Sequence, residues 1–137
     1  MLSLTKSRNA GKRLIFLLVL FFALCLFYTS NAQELVVITL DQEDGLFAIP
    51  SEIVLNPGDS LQFVSVNGDF GILITDAVKF LKIKDANLKI RVNSSTDPDS
   101  DIYVVREIKE FETDYSVYCI SNNGWPLAPP RIIIVSQ

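Results

Sequence analysis

The sequence predicts an all-β domain, a two-sheet Greek-key sandwich of about seven to eight strands. Three observations carry that expectation. Beyond the first 32 residues, no stretch holds an apolar stripe at helical spacing. Short apolar or alternating runs recur about every ten residues, divided by polar and turn-forming residues. Two of the dividers, Asn56-Pro57-Gly58-Asp59 and Asn67-Gly68, are tight-turn sequences. Proline fixes φ and glycine accepts positive φ, which is what such turns require.

The elements follow in order. Leu35-Val36-Val37-Ile38-Thr39-Leu40 is a β-branched run, suited to a strand buried on both faces. Asp41 to Gly45 is a polar turn. Ile53-Val54-Leu55 is the next strand and ends at the Asn56–Asp59 turn; Leu61 to Val66 returns, and Asn67-Gly68 turns the chain again. Phe70 to Ile74 continues the apolar pattern. Asp76 to Asp85 is open to two readings, with Val78, Phe80 and Leu81 on a short helical turn or on a strand edge. Leu88-Lys89-Ile90-Arg91-Val92 alternates strictly, so one face is expected buried and the other wet. Asn93 to Asp101 is a polar loop. Ile102 to Ile108, Tyr115 to Ile120 and Arg131 to Val135 are expected as the remaining strands.

Ahead of this domain lies a targeting segment. Lys6, Arg8, Lys12 and Arg13 form a positive start, and Leu14 to Tyr28 is an uncharged apolar run of fifteen residues. Ser30-Asn31-Ala32 places small residues at both positions that guide cleavage after Ala32. That is the layout of a secretory signal peptide, residues 1–32, with the domain spanning 33–137. The run is shorter than the roughly 20 residues of a membrane span; the competing reading is an uncleaved N-terminal anchor. A lipoprotein signal at Cys25 is disfavoured, because bulky Leu24 precedes it. The expected location is therefore periplasmic or extracellular, with no stable membrane association after cleavage.

Charge and composition exclude several classes. The full chain has 12 basic and 16 acidic residues, net −4. The leader removes four basic and no acidic residues, leaving eight against 16 and a net charge of −8. Such a surface repels nucleic acid and anionic membranes. The chain has no histidine, which removes the Ser-His-Asp triad, the Cys-His dyad, the two-histidine zinc site and the imidazole shuttle. Its methionine is Met1. Of two cysteines, Cys25 leaves with the leader and Cys119 stays, so no internal disulfide can form. No glycine cluster suits a phosphate, and no catalytic carboxylate pair can be placed, so the chain is expected not to be an enzyme.

Three segments resemble the cupredoxin (plastocyanin-like) family. Ile49-Pro50-Ser51-Glu52-Ile53-Val54-Leu55-Asn56-Pro57-Gly58-Asp59-Ser60-Leu61-Gln62-Phe63 resembles that family's first hairpin. Phe111 with Tyr115-Ser116-Val117-Tyr118-Cys119 is similar to its cysteine-bearing strand, and Arg131-Ile132-Ile133-Ile134-Val135 to its closing strand. The resemblance covers nearly the whole domain in the family's order. It implies a cupredoxin-like sandwich whose last loop, in the family, holds copper between a thiolate, two imidazoles and a weak thioether. Here Cys119 keeps the thiolate position, but Asn122 stands at the loop histidine, Leu127 at the methionine, and the second histidine falls near Gly71. A thiolate and an amide cannot bind copper in the family's manner, so no metal is expected.

Other residues have two readings each. Cys119 is a redox thiol or soft-metal ligand, or else a buried core filler; Tyr115 and Val117 share its face at period two and favour burial. Trp125, in Asn122-Asn123-Gly124-Trp125-Pro126-Leu127, is a partner contact or a lid over the end of the core. Asp97, Asp99 and Asp101 resemble a calcium loop weakly and a solvated acidic loop better. Glu107, Glu110, Glu112 and Asp114 suit solubility or the steering of a basic partner. Asn93-Ser94-Ser95 is a glycosylation sequon, relevant in a eukaryotic secretory route. The leading functional expectation is an exported binding or structural module with an unidentified protein partner. The competing one is a copper-binding or thiol-redox protein that uses Cys119 in electron transfer. A hydrolase working through carboxylates is a weaker third.

Overall fold

The computed structural model describes residues 15, 32–95 and 101–135. The expected leader, apart from Ile15 and Ala32, lies outside the described residues, as do Asp97 and Asp99. The fold is all-β. Its strands are β1 (Leu35–Asp41), β2 (Ala48–Ile49), β3 (Glu52–Leu55), β4 (Ser60–Asn67) and β5 (Asp69–Ile74), then β6 (Leu88–Asn93), β7 (Ile102–Val104), β8 (Phe111–Asp114), β9 (Ser116–Cys119) and β10 (Arg131–Ile134).

Three sheets form, in the orders β2-β1-β4-β7, β3-β10-β8 and β6-β5-β9. Pairing is mixed: β1 runs parallel to β4, and β10 parallel to β3. The chain itself joins the sheets across one or two residues in three places. Gly68 alone separates β4, which pairs with β1, from β5, which pairs with β9. Tyr115 alone separates β8, which pairs with β10, from β9, which pairs with β5. Pro50-Ser51, with a cis Ile49–Pro50 bond, separates β2, which pairs with β1, from β3, which pairs with β10. Counted through these interruptions, the ten described segments become seven runs, within the expected number.

One core is shared by all three sheets. Ile38 and Leu40 of β1, Leu61 and Phe63 of β4, Phe70 and Ile72 of β5, and Ile132 and Ile134 of β10 are all buried in it. The Phe63 and Tyr115 rings meet edge to face at 5.7 Å and tie β4 to the β8–β9 run. Edge-on aromatic contact of this kind adds to area burial.

The turns follow their chemistry. Gly58 sits at φ 93 and Gly68 at φ 105, the left-handed backbone that both turns need. The Asp59 carboxylate, itself buried, accepts the backbone N–H groups of Glu34 (3.0 Å) and Asn56 (2.8 Å). In the turn after β1, Asp41 and Asp44 each accept the backbone N–H two residues on.

The structure corrects several expectations. β1 is not buried on both faces: Leu35 and Val37 are 47% and 40% exposed, while Ile38 and Leu40 point inward. A β-branched run favours the pleated backbone whether or not its outer face is covered. The strand expected over Ile102–Ile108 stops at Val104. Val105 instead bridges to Leu81, and the Arg106 guanidinium donates to the carbonyls of Leu81 (2.6 Å) and Ile83 (3.2 Å), drawing the chain off the sheet. The ambiguous segment is a 3-10 turn at Ala77–Lys79 followed by fully buried Phe80 and Leu81. Phe111–Asp114 is a strand that the pattern did not announce. Leu88–Asn93 alternates as expected, with Leu88 and Val92 buried and Lys89 and Arg91 exposed.

Candidate functional site

β9 sorts its side chains by alternation. Val117 and Cys119 are fully buried, as is most of Tyr115 just before the strand, while Ser116 and Tyr118 face outward. β5 does the same beside it: Phe70, Ile72 and Ile74 are buried, leaving Asp69, Gly71 and Leu73 on the outer face. The register places Gly71 between Arg91 and Tyr118, and Leu73 between Lys89 and Ser116. Directly opposed residues share a face, so these six share the outer surface of the β6-β5-β9 sheet with Asp69 and Asn93.

After Cys119 the chain closes a tight loop. Cys119 N–H donates to the Gly124 carbonyl (2.9 Å), and Gly124 N–H donates back to Cys119 (3.1 Å). Asn123 takes the left-handed backbone at φ 56, and its side-chain Oδ1 accepts the Tyr118 hydroxyl. At Gly124 a Cβ would meet the exposed Asn122 Oδ1 at 2.9 Å, a contact that a turn of that side chain relieves. The chain then returns over the outer face, where Trp125 lies on Tyr118 with ring centroids 4.8 Å apart. Trp125 is 66% exposed and does not seal the core, which sets aside the lid reading. Between Trp125, Tyr118, Gly71, Leu73 and Lys89 opens an almost wholly apolar groove of about 440 Å³.

The positions that the family resemblance singled out do not converge. Cys119 is a free thiol at zero exposure, and its cross-strand neighbour is Phe70. Gly71 therefore lies on the face opposite the thiol. Asn122 is exposed, and Leu127 is 87% exposed over Gly45, whose carbonyl accepts the Leu127 N–H at 2.9 Å. These residues do not fit a trigonal copper site, which needs a thiolate and two imidazoles about one point. Among the described residues no group of three or more His, Cys, Asp or Glu side chains is placed to hold a metal ion. No described helix is long and apolar enough to cross a membrane.

The charged residues settle locally. Arg91 donates through Nε to both Asp69 carboxylate oxygens (3.0 and 3.1 Å), and this hydrogen bonding holds the Asp69 carboxyl below its usual range. Glu112 and Asp114 both pair with Arg131, at 3.0 and 3.2 Å. Glu107, Glu110 and Asp101 are exposed. Asn93 Oδ1 accepts the Ser95 backbone N–H at 2.9 Å, turning the sequon back on itself. Burial raises two phenols: Tyr103 to about 12, with the Asp101 charge adding to the effect, and Tyr115 further still. The buried Tyr115 hydroxyl makes no hydrogen bond among the described residues.

Sequence reasoning singled out Trp125 and missed the groove beside it. Two signals pointed there: the alternation that turns Lys89 outward, and the odd spacing that puts Tyr118 on the face opposite Cys119. Neither a protein-family model nor a curated protein matches this chain.

Proposed function

We propose that this chain is an exported, non-enzymatic binding module on a cupredoxin-like Greek-key scaffold without a type 1 copper site. The arrangement of the strands supports the scaffold. The first strand lies parallel to β4, the last parallel to β3, and the chain changes sheets at Pro50. The cysteine closes the strand ahead of the last loop, as in the family. Phe70, buried and edge to face with Phe47 at 5.9 Å, fills the place across from the thiol.

One observation carries the binding role. The exposed aromatic pair Tyr118–Trp125 and the groove beside it lie on the outer face, while the thiol is enclosed on the other. Loops held by a rigid sheet are common places for recognition. Cleavage after Ala32 fits the layout of the leader, and the N-terminal residue of the exported protein, read by mass spectrometry, tests it. The module itself is tested by copper titration. The expected result is no visible thiolate-to-copper absorption at stoichiometric metal. A strong band would overturn the reading in favour of electron transfer through Cys119.

A further inference from the structure

We propose that the groove on the outer face of β5, β6 and β9 binds a compact, flat apolar group that carries one negative charge. This rests on the reading of the Trp125 face as the binding surface and names what that surface takes.

Gly71 is the first argument. Glycine weakens a strand interior, where it has no side chain to pack. Here nothing in the fold asks for it. Its backbone is not left-handed, and a Cβ at this position would meet a single atom, Ile120 Cδ1, at 4.0 Å. What the missing side chain does is open the floor of the groove between Tyr118 and Arg91. A strand glycine without an internal neighbour leaves room for a group from outside.

Size and lining narrow the occupant. A volume of about 440 Å³ is that of a small-molecule pocket. Leu73, Ile90, Tyr118 and Trp125 present apolar and aromatic surface, and Trp125 keeps two-thirds of its own surface open. Walls with so few hydrogen-bonding groups suit a flat hydrocarbon or aromatic body rather than a polyhydroxylated one.

Charge decides the rest. Two cations stand on this face. Arg91 is neutralised by Asp69. Lys89 lines the groove opposite Leu73 and has no carboxylate partner among the described residues. One uncompensated ammonium at the edge of an apolar groove complements a ligand with one anionic group.

The chain's single tryptophan makes the test specific, because its one indole N–H resonance reports this groove. The purified protein is titrated with 2-naphthoate and, separately, with neutral 2-naphthamide. Naphthoate is expected to shift the indole resonance saturably and to bind more tightly than the amide. Lys89→Gln is expected to weaken naphthoate binding by about fivefold, the scale of a partly exposed charge pair, and to leave the amide unchanged. Gly71→Val is expected to abolish both responses while the protein unfolds no earlier than the parent. Absence of a saturable shift from either probe would overturn the site. Equal affinity for acid and amide would overturn the anionic ligand, and a saturable shift from an oligosaccharide in place of naphthoate would overturn the apolar one. A visible copper band would instead undo the reading beneath this one, and it appears in absorbance without reference to the indole titration.

Discussion

β9 shows two opposite surfaces within four residues. On one side Val117 and Cys119 join Phe70 and Tyr115 in the core; on the other Ser116 and Tyr118 line an open groove under Trp125. The inner side is set by packing, which makes the thiol a small hydrophobe. The outer side is set by what is missing, namely the side chain of Gly71 and a carboxylate for Lys89. The chemically conspicuous Cys119 therefore lies on the enclosed face, and the groove on the other face is built, apart from Trp125, from residues that attract no notice alone.

The sharpest way to break this contrast is to cut into the inner face. Phe70→Ala removes the ring that faces Cys119 and packs on Phe47, and should cost about 3–5 kcal/mol in denaturant unfolding. A loss below about 1 kcal/mol would show that this face is not core. Cys119→Ser places a hydroxyl in the same enclosure and should cost about 1–3 kcal/mol. In the parent, thiol-reagent labelling should follow unfolding rather than proceed from the native state.

Tyr115→Phe should go the other way. The Tyr115 hydroxyl is buried without a partner, so its removal should be neutral or stabilising by about 1 kcal/mol. The same residue shapes the alkaline limit. Burial raises the folded-state ionisation of Tyr103 from 10 to about 12 and that of Tyr115 further. Above pH 10 the unfolded chain releases these protons while the native state keeps them, so stability is full below 10 and falls as pH rises beyond it. Equilibrium unfolding across that window should show the fall, and Tyr115→Phe should lessen it. The smallest effect belongs to the outer face. Trp125→Ala should change stability by no more than about 0.5 kcal/mol, since the ring is mostly exposed, while removing half of the aromatic pair.

Much of the fold was legible because it rests on local chemistry. The Asn56–Asp59 turn, the alternation of Leu88–Val92 and the shared face of Tyr115, Val117 and Cys119 are each decided within a few residues. Two things were not. The outer face of β1 is apolar but uncovered, and β-branched residues read alike in both settings. Phe111–Asp114 carries acidic residues that pair with Arg131 across the sheet, so its strand character depends on a distant partner. The groove was hidden for the same reason. Gly71, Lys89 and Tyr118 become neighbours through the registers of two strand pairs, and their separate stretches of sequence carry no trace of that meeting.

The hydrogen bonds that close the chain between Cys119 and Gly124 come from the main chain alone. The side chains of Ile120 and Asn122 are therefore of little consequence for closure, whereas Ser121 Oγ accepts the Asp69 N–H at 2.8 Å and Asn123 needs a residue at ease with positive φ. That makes positions 120 and 122 natural places to vary the sequence. Diversity introduced there would stand beside Trp125 on an unchanged frame.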